Sequence, residues 1–165
     1  MNFVAVLVAA LIPMIVGMIW YNPKVFGNAW MKSIGVNDAE EMKKGANMAL
    51  IFGMSFVFAL MLALILNPIV IHQMGIESLK QGLPDAQKTG TLTMMVNGEP
   101  FEYANLFRTF KHGAFHGVLA GLFIALPIIG TSSLYERRGF KYIAISAGFW
   151  IVNMALMGGL ICAWA

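Results

Sequence analysis

The sequence predicts an all-α membrane protein, a four-helix bundle whose second and third transmembrane helices are joined by a long outer loop. Three observations predict it. Of the 165 residues, 59% are hydrophobic and only 12% charged, at a mean hydropathy of +0.73, too little charge to cover a water-facing surface. The apolar residues gather into runs about as long as the ~20 residues a helix needs to cross a bilayer. Within several runs small residues recur at every fourth position, a glycine zipper that gives a helix one smooth face for close approach by another backbone. The chain is read as a single membrane domain, with spans over about 2–20, 46–66, 113–134 and 142–164 and the outer loop over about 67–111.

The first run, Asn2 to Trp20, has no positively charged segment before it and no convincing cleavage pattern, so a retained helix is expected. Pro13 predicts a kink, Gly17 a packing site, and Trp20 and Tyr21 interface anchors. Asn22-Pro23 reads as a cap and first helical residue, and Gly35 as a stop. Between them Lys24, Asn28 and Lys32 oppose Phe26, Trp30 and Ile34, the pattern of a helix lying in the membrane interface with Trp30 as a third anchor. The alternative is a connecting turn packed on the bundle.

Asn37 is expected to cap the next helix, with Glu40 at the capping-box position and paired with Lys44. Gly45, Ala49 and Gly53 repeat every fourth residue, and Asn67-Pro68 marks the exit near Leu66, although Ile69 to Met74 could prolong the helix past a bend. The loop that follows is polar. Thr91–Val96 and Glu99–Tyr103 flank Asn97-Gly98, a dipeptide suited to a tight hairpin, provided that Pro100 faces the ribbon's open edge.

The third run carries Gly113, Gly117, Gly121 and Ala125 on one stripe, and Pro127, which cannot donate to the Phe123 carbonyl, predicts a bend. After the charged turn Tyr135–Gly139, the fourth run offers Gly148, Gly158 and Gly159 as contact points. It also places Asn153 near the bilayer centre, where a partner on another helix is expected.

Basic residues set the orientation. The first and third connections carry Lys24, Lys32, Lys43, Lys44, Arg137, Arg138 and Lys141, whereas the second carries Lys80, Lys88, Arg108 and Lys111 diluted by acids. Both termini are therefore expected outside. These cations sit beside spans, so the net charge of +3 implies no nucleic-acid partner. The single cysteine, Cys162, permits no intramolecular disulfide. A faint repeat aligns Pro13 with Pro127, Tyr21 with Tyr135 and Phe26 with Phe140, while Ala59-Leu60-Met61 separately matches Ala155-Leu156-Met157. Duplicated helical hairpins and chance agreement of apolar sequence both explain it.

Trp20-Tyr21-Asn22-Pro23, Phe26-Gly27, Trp30-Met31, His116-Gly117, Tyr135-Glu136-Arg137-Arg138 and Gly148-Phe149-Trp150 resemble the bacterial membrane family catalogued as domain of unknown function 1761. The resemblance covers the whole chain apart from the outer loop. It implies a four-helix protein of the bacterial inner membrane, and it brings no reaction, substrate or cofactor.

Function is weighed on His112, His116 and Asn153. The two histidines stand one turn apart, a metal-ligand spacing, but Gly113, Ala114 and Phe115 between them supply no catalytic carboxylate. A metal would need a third ligand, for which Glu99, Glu102 and His72 are the candidates. The preferred expectation is structural, with His116 bonded to a neighbouring helix, His112 near interfacial water, and no cofactor. Ser132 and Ser133 lie roughly 24 Å along the helix from His116, too far for a nucleophile–base pair. The sequence thus favours a non-catalytic membrane component packing with itself or a partner in the bilayer. The alternative is small-molecule or ion transport, which in so narrow a bundle calls for a homo-oligomer, and a metal-dependent enzyme comes third.

Overall fold

Four helices among the described residues are long and apolar enough to cross a membrane: Phe3–Trp20, Met48–Val70, Phe110–Tyr135 and Phe140–Trp164. The computed structural model describes residues 1–36, 40–41, 46–84 and 93–164. The Asn37 cap, the Lys44 pairing, Gly45 and the start of the expected first strand at Thr91 lie outside these residues.

Helix α1 (Phe3–Trp20) begins where the Asn2 side chain accepts from the amides of Val4 and Ala5, and it runs through Pro13 without a break. The short helix α2 (Gly27–Ile34) starts later than Asn22-Pro23 implied. The reason is local: the Asn22 side chain accepts from the Lys24 amide, and its carbonyl accepts from Val25 and Gly27, folding Asn22–Phe26 into turns. A side chain at Gly27 would collide with the Tyr21 carbonyl. Gly35 closes α2 in the left-handed conformation at φ +79°. Gly27 and Met31 are buried, while Lys24, Asn28 and Lys32 remain exposed.

Helix α3 (Met48–Val70) is capped by Asn47 and continues through Pro68, beyond the exit expected near Leu66. It is followed directly by α4 (Gln73–Lys80). In the outer loop β1 (Met94–Val96) pairs antiparallel with β2 (Glu99–Phe101), with Val96 opposite Glu99. Asn97 and Gly98 both have positive φ, at 51° and 85°, as a type I′ turn requires. Pro100 lies opposite Met95, one place beyond the pair that closes the turn, so its missing N–H falls on the ribbon's open edge.

The third span has three pieces, α5 (Phe110–Ala120), a π turn (Gly121–Ala125) and α6 (Leu126–Tyr135). The bend expected from Pro127 thus takes the form of a widened turn, in which the Leu126 amide reaches back to the Gly121 carbonyl. Beyond it Ser133 donates to the carbonyl of Ile129.

Helix α7 (Phe140–Trp164) is the central element: 61% of its most apolar stretch is buried, against 17–22% in the other spans. It packs against α1, α3 and α5. Val6 and Ala9 of α1, Ala63, Leu66 and Val70 of α3, and Met154, Met157 and Ile161 of α7 form the core. Outward-facing Leu7, Leu11, Phe52, Met61, Ile65 and Phe123 are exposed, as lipid-facing side chains are.

The glycine stripe of α5 faces α7. A Cβ at Gly113 would collide with the Gly158 carbonyl, one at Gly117 with the Met154 carbonyl, and one at Gly121 would stand 2.7 Å from Ile151 Cα. Ala125, in the π turn, is partly buried against the core. At the other end of α7, Gly148 receives the Trp20 ring, whose Nε1 donates to the Ile145 carbonyl at 3.1 Å. Gly53 makes no such contact. It is exposed on α3, where a side chain would meet none of the described residues within 4 Å, because α3 buries the face carrying Ala59, Ala63 and Leu66 instead. Asn153 is fully buried, but its Nδ2 donates to Phe149 of its own helix at 2.7 Å rather than to a neighbour. Asn67 does the same toward Ala63 at 2.9 Å.

Overpacking the α5–α7 contact should therefore be costly. Gly117→Leu is expected to destabilise the protein by roughly 1–3 kcal/mol or more, whereas exposed Gly53→Leu should change stability by no more than about 0.5 kcal/mol. Thermal unfolding in detergent reads both, and equal midpoints for the two variants would contradict this packing.

Candidate metal centre

The end of the bundle that carries the outer loop also gathers the three histidines. Ile71 leaves the helical conformation at φ −114°, ψ 94°, ending α3, and the next residue, His72, opens α4. On the facing helix Thr109 caps α5 by accepting from the His112 amide at 3.2 Å. His112 and His116 each precede a glycine of the stripe. They lie about 100° around the helix from the α7 contact, and their rings meet that of His72.

The cluster is tight. His72 Nε2 lies 3.0 Å from His112 Nε2, and a ligand nitrogen from each of His72, His112 and His116 lies within 4.8 Å of the others. The ring centroids are 4.9 Å apart for His72–His112, 4.7 Å for His72–His116 and 4.5 Å for His112–His116. Nitrogens bound tetrahedrally to one zinc ion stand about 3.3 Å apart, so modest ring rotations would bring all three onto one ion. At 3.0 Å the His72 and His112 nitrogens share a hydrogen, one donating and the other accepting. An ion there would replace that hydrogen, with both rings turning a lone pair toward the metal.

Surrounding groups hold the site. Gln73 Nε2 donates to the carbonyls of Tyr103 at 2.8 Å and Leu106 at 2.7 Å, fastening the returning loop beside His72. Phe107 then stacks on His112, with centroids 5.1 Å apart and planes 16° from parallel. Its backbone sits at φ +62°, in the left-handed region that bulky residues avoid. Beneath, Cys162 Sγ donates to the Val70 and Phe107 carbonyls, both at 3.4 Å, and Arg108 Nε donates to the Cys162 carbonyl at 3.1 Å. The ends of α3, α5 and α7 are thereby tied under the histidines.

Of the candidate third ligands, the structure brings in His72 and leaves Glu99 and Glu102 outside the group. The side-chain bond expected of His116 is made by His112, to His72, while His116 meets the His72 ring across the α3–α4 corner. Phe107 and Gln73 carried no signal in the sequence: a left-handed phenylalanine and an amide bonding loop carbonyls are tertiary facts. Trp20, Tyr21 and Trp30 gather at the opposite end of α7 with Phe149, where Tyr21 lies 5.1 Å from both Trp30 and Phe149. Burial there pushes the Tyr21 phenol up to about 12. Asn153 lies in the core one helical turn from Phe149, to whose carbonyl its Nδ2 donates.

A family model described as "Protein of unknown function (DUF1761)" matches residues 4–162. The chain belongs to that family. The DUF1761 match extends from the first span into the fourth and includes the histidine cluster, and it carries no activity with it. No curated protein matches the chain. No solved structure matches it either.

The Gln73 clamp makes a direct prediction. Each of its two bonds is worth about 0.5–1.5 kcal/mol, so Gln73→Ala should speed amide exchange over Tyr103–Phe107 by roughly tenfold. Unchanged protection there would show that the loop is held by other contacts.

Proposed function

We propose that this protein is a non-catalytic membrane component that binds a divalent transition-metal ion through His72, His112 and His116. The observation that carries the reading is the convergence of three imidazoles, from two separate parts of the chain, within 4.8 Å. Imidazole suits zinc, copper and nickel, while magnesium and calcium prefer oxygen, so the ion belongs to the first group. Three imidazoles with an open fourth position also suit a catalytic ion, so hydrolysis of a test ester by the zinc-loaded protein would overturn the non-catalytic part of the reading.

Two further readings have their own support. Transport is favoured by Asn67 and Asn153, whose fully buried Oδ1 atoms have no partner among the described residues. Metal uptake into reconstituted vesicles tests it. Self-association is favoured by exposed Ala49 and Gly53, which leave one edge of α3 smooth. The mass of the protein in detergent tests that.

The basic first and third connections argue for a cytoplasmic location of those turns, which puts both termini and the histidines outside. A cysteine replacing exposed Met95 should then react with an impermeant thiol reagent in intact cells, and one replacing exposed Tyr135 should not. The opposite pattern would reverse the orientation and leave the fold untouched.

Purified protein loaded with zinc and desalted should retain one ion per chain by elemental analysis. His72→Ala, His112→Ala and His116→Ala should each weaken binding by at least the roughly 10–100-fold that loss of an outer-shell partner costs. At free zinc 100 times Kd, the ion should add about 2.7 kcal/mol of stability to the unmodified protein and almost none to the variants. Acidification below about pH 5 should release the ion, since protons compete for the same nitrogens. Zinc retained by all three variants, or by none of the proteins including the unmodified one, would refute the metal reading.

A further inference from the structure

Three imidazoles are neutral donors, so an ion held by them keeps its double positive charge, and tetrahedral coordination leaves a fourth position to fill. Where the cluster lies limits what can fill it. His112 and His116 belong to the first turns of the third span, while His72 is exposed just beyond the end of the second. The cluster thus sits at the boundary where lipid headgroups meet water.

Aromatic rings occupy the same boundary. Phe115 is 58% exposed and meets the His116 ring edge-on at 5.6 Å between centroids. Phe107, stacked on His112, is 56% exposed. Phe115 thus joins the lipid-facing surface of the span directly to a histidine of the cluster. A molecule with an anionic head and an acyl chain meets both features at once, its oxygen on the ion and its chain along the ring.

We propose that an ion at the histidine cluster takes as its fourth ligand the anionic oxygen of an amphiphile, a carboxylate or phosphate head whose chain lies against Phe115. This rests on the metal-binding reading above. Binding needs no covalent or redox step: the oxygen displaces water from the ion, and the chain leaves water for the ring and the lipid beside it. Arg108, whose buried Nη2 has no partner among the described residues, adds positive charge at the same loop end.

Cobalt-substituted protein in detergent tests the proposal, because the visible spectrum of tetrahedral cobalt responds to its fourth ligand. Titration with octanoate should change the spectrum at concentrations at least about tenfold lower than acetate, and octyl phosphate should outcompete inorganic phosphate similarly, from burial of the chain. Phe115→Ala should erase the advantage of the long chains while leaving cobalt stoichiometry and the response to acetate intact. Phe123→Ala, an exposed ring about 12 Å further along the same span, should preserve the advantage and so control for partition into the micelle. Equal responses to long and short anions, or a chain advantage that survives Phe115→Ala, would overturn the proposal. A spectrum indifferent to every anion would overturn it while leaving the metal reading standing. Failure to take up cobalt at all would remove both.

Discussion

Backbone-to-backbone contact between α5 and α7 is the constraint on which the rest of the structure depends. In lipid the hydrophobic effect does not drive helices together, so association rests on van der Waals packing and on how closely two backbones can come. Gly113 and Gly117 present no side chain where the Gly158 and Met154 carbonyls pass. That approach fixes the rotation of α5, and the rotation directs the residues before each glycine, His112 and His116, toward the corner where α3 ends. The packing stripe and the candidate site are therefore two faces of one helix, set by a single contact.

The two ends of the bundle differ in character. Trp20, Tyr21, Phe26, Trp30 and Phe149 make a ring cluster at one end, joined there by Arg138, whose Nη1 donates to the Ile34 carbonyl at 3.3 Å. That end ties α2 and the charged turn onto α7. The other end holds the histidines, the hairpin and the bond from Asn2 Nδ2 to the Trp164 carbonyl at 2.9 Å. The aromatic cluster and the histidine cluster thus lie toward opposite ends of the bundle.

Much of this was legible in the sequence, and what was missed has a common cause. The spans, the α5 stripe, the Asn97-Gly98 turn and the distortion before Pro127 follow from short-range rules, since each depends on residues within one or two helical turns. Gly53 carried the same spacing as Gly117 yet faces outward, because spacing defines a face without naming its neighbour. Asn153 satisfied its donor on its own helix, an option open to any buried asparagine and indifferent to the rest of the fold. Proline after Asn22 looked like a helix start, but the Asn22 side chain turned back onto the chain first. His72 was one of three candidates forty or fewer residues from His112, and only the closing of the α3–α4 corner over α5 separates it from Glu99 and Glu102.

The π turn at Gly121–Ala125 has a consequence for how this chain can vary in length. A π turn is an α-helix holding one residue more than its geometry needs, and Pro127 two residues beyond stabilises it by withholding a donor. Loss of one residue between Gly121 and Ala125 would relax the segment to an ordinary helix and leave the half that carries the histidines and the half that ends in the charged turn on their present partners. Gaps within the third span of related chains are therefore expected at this place, where a helix otherwise tolerates none.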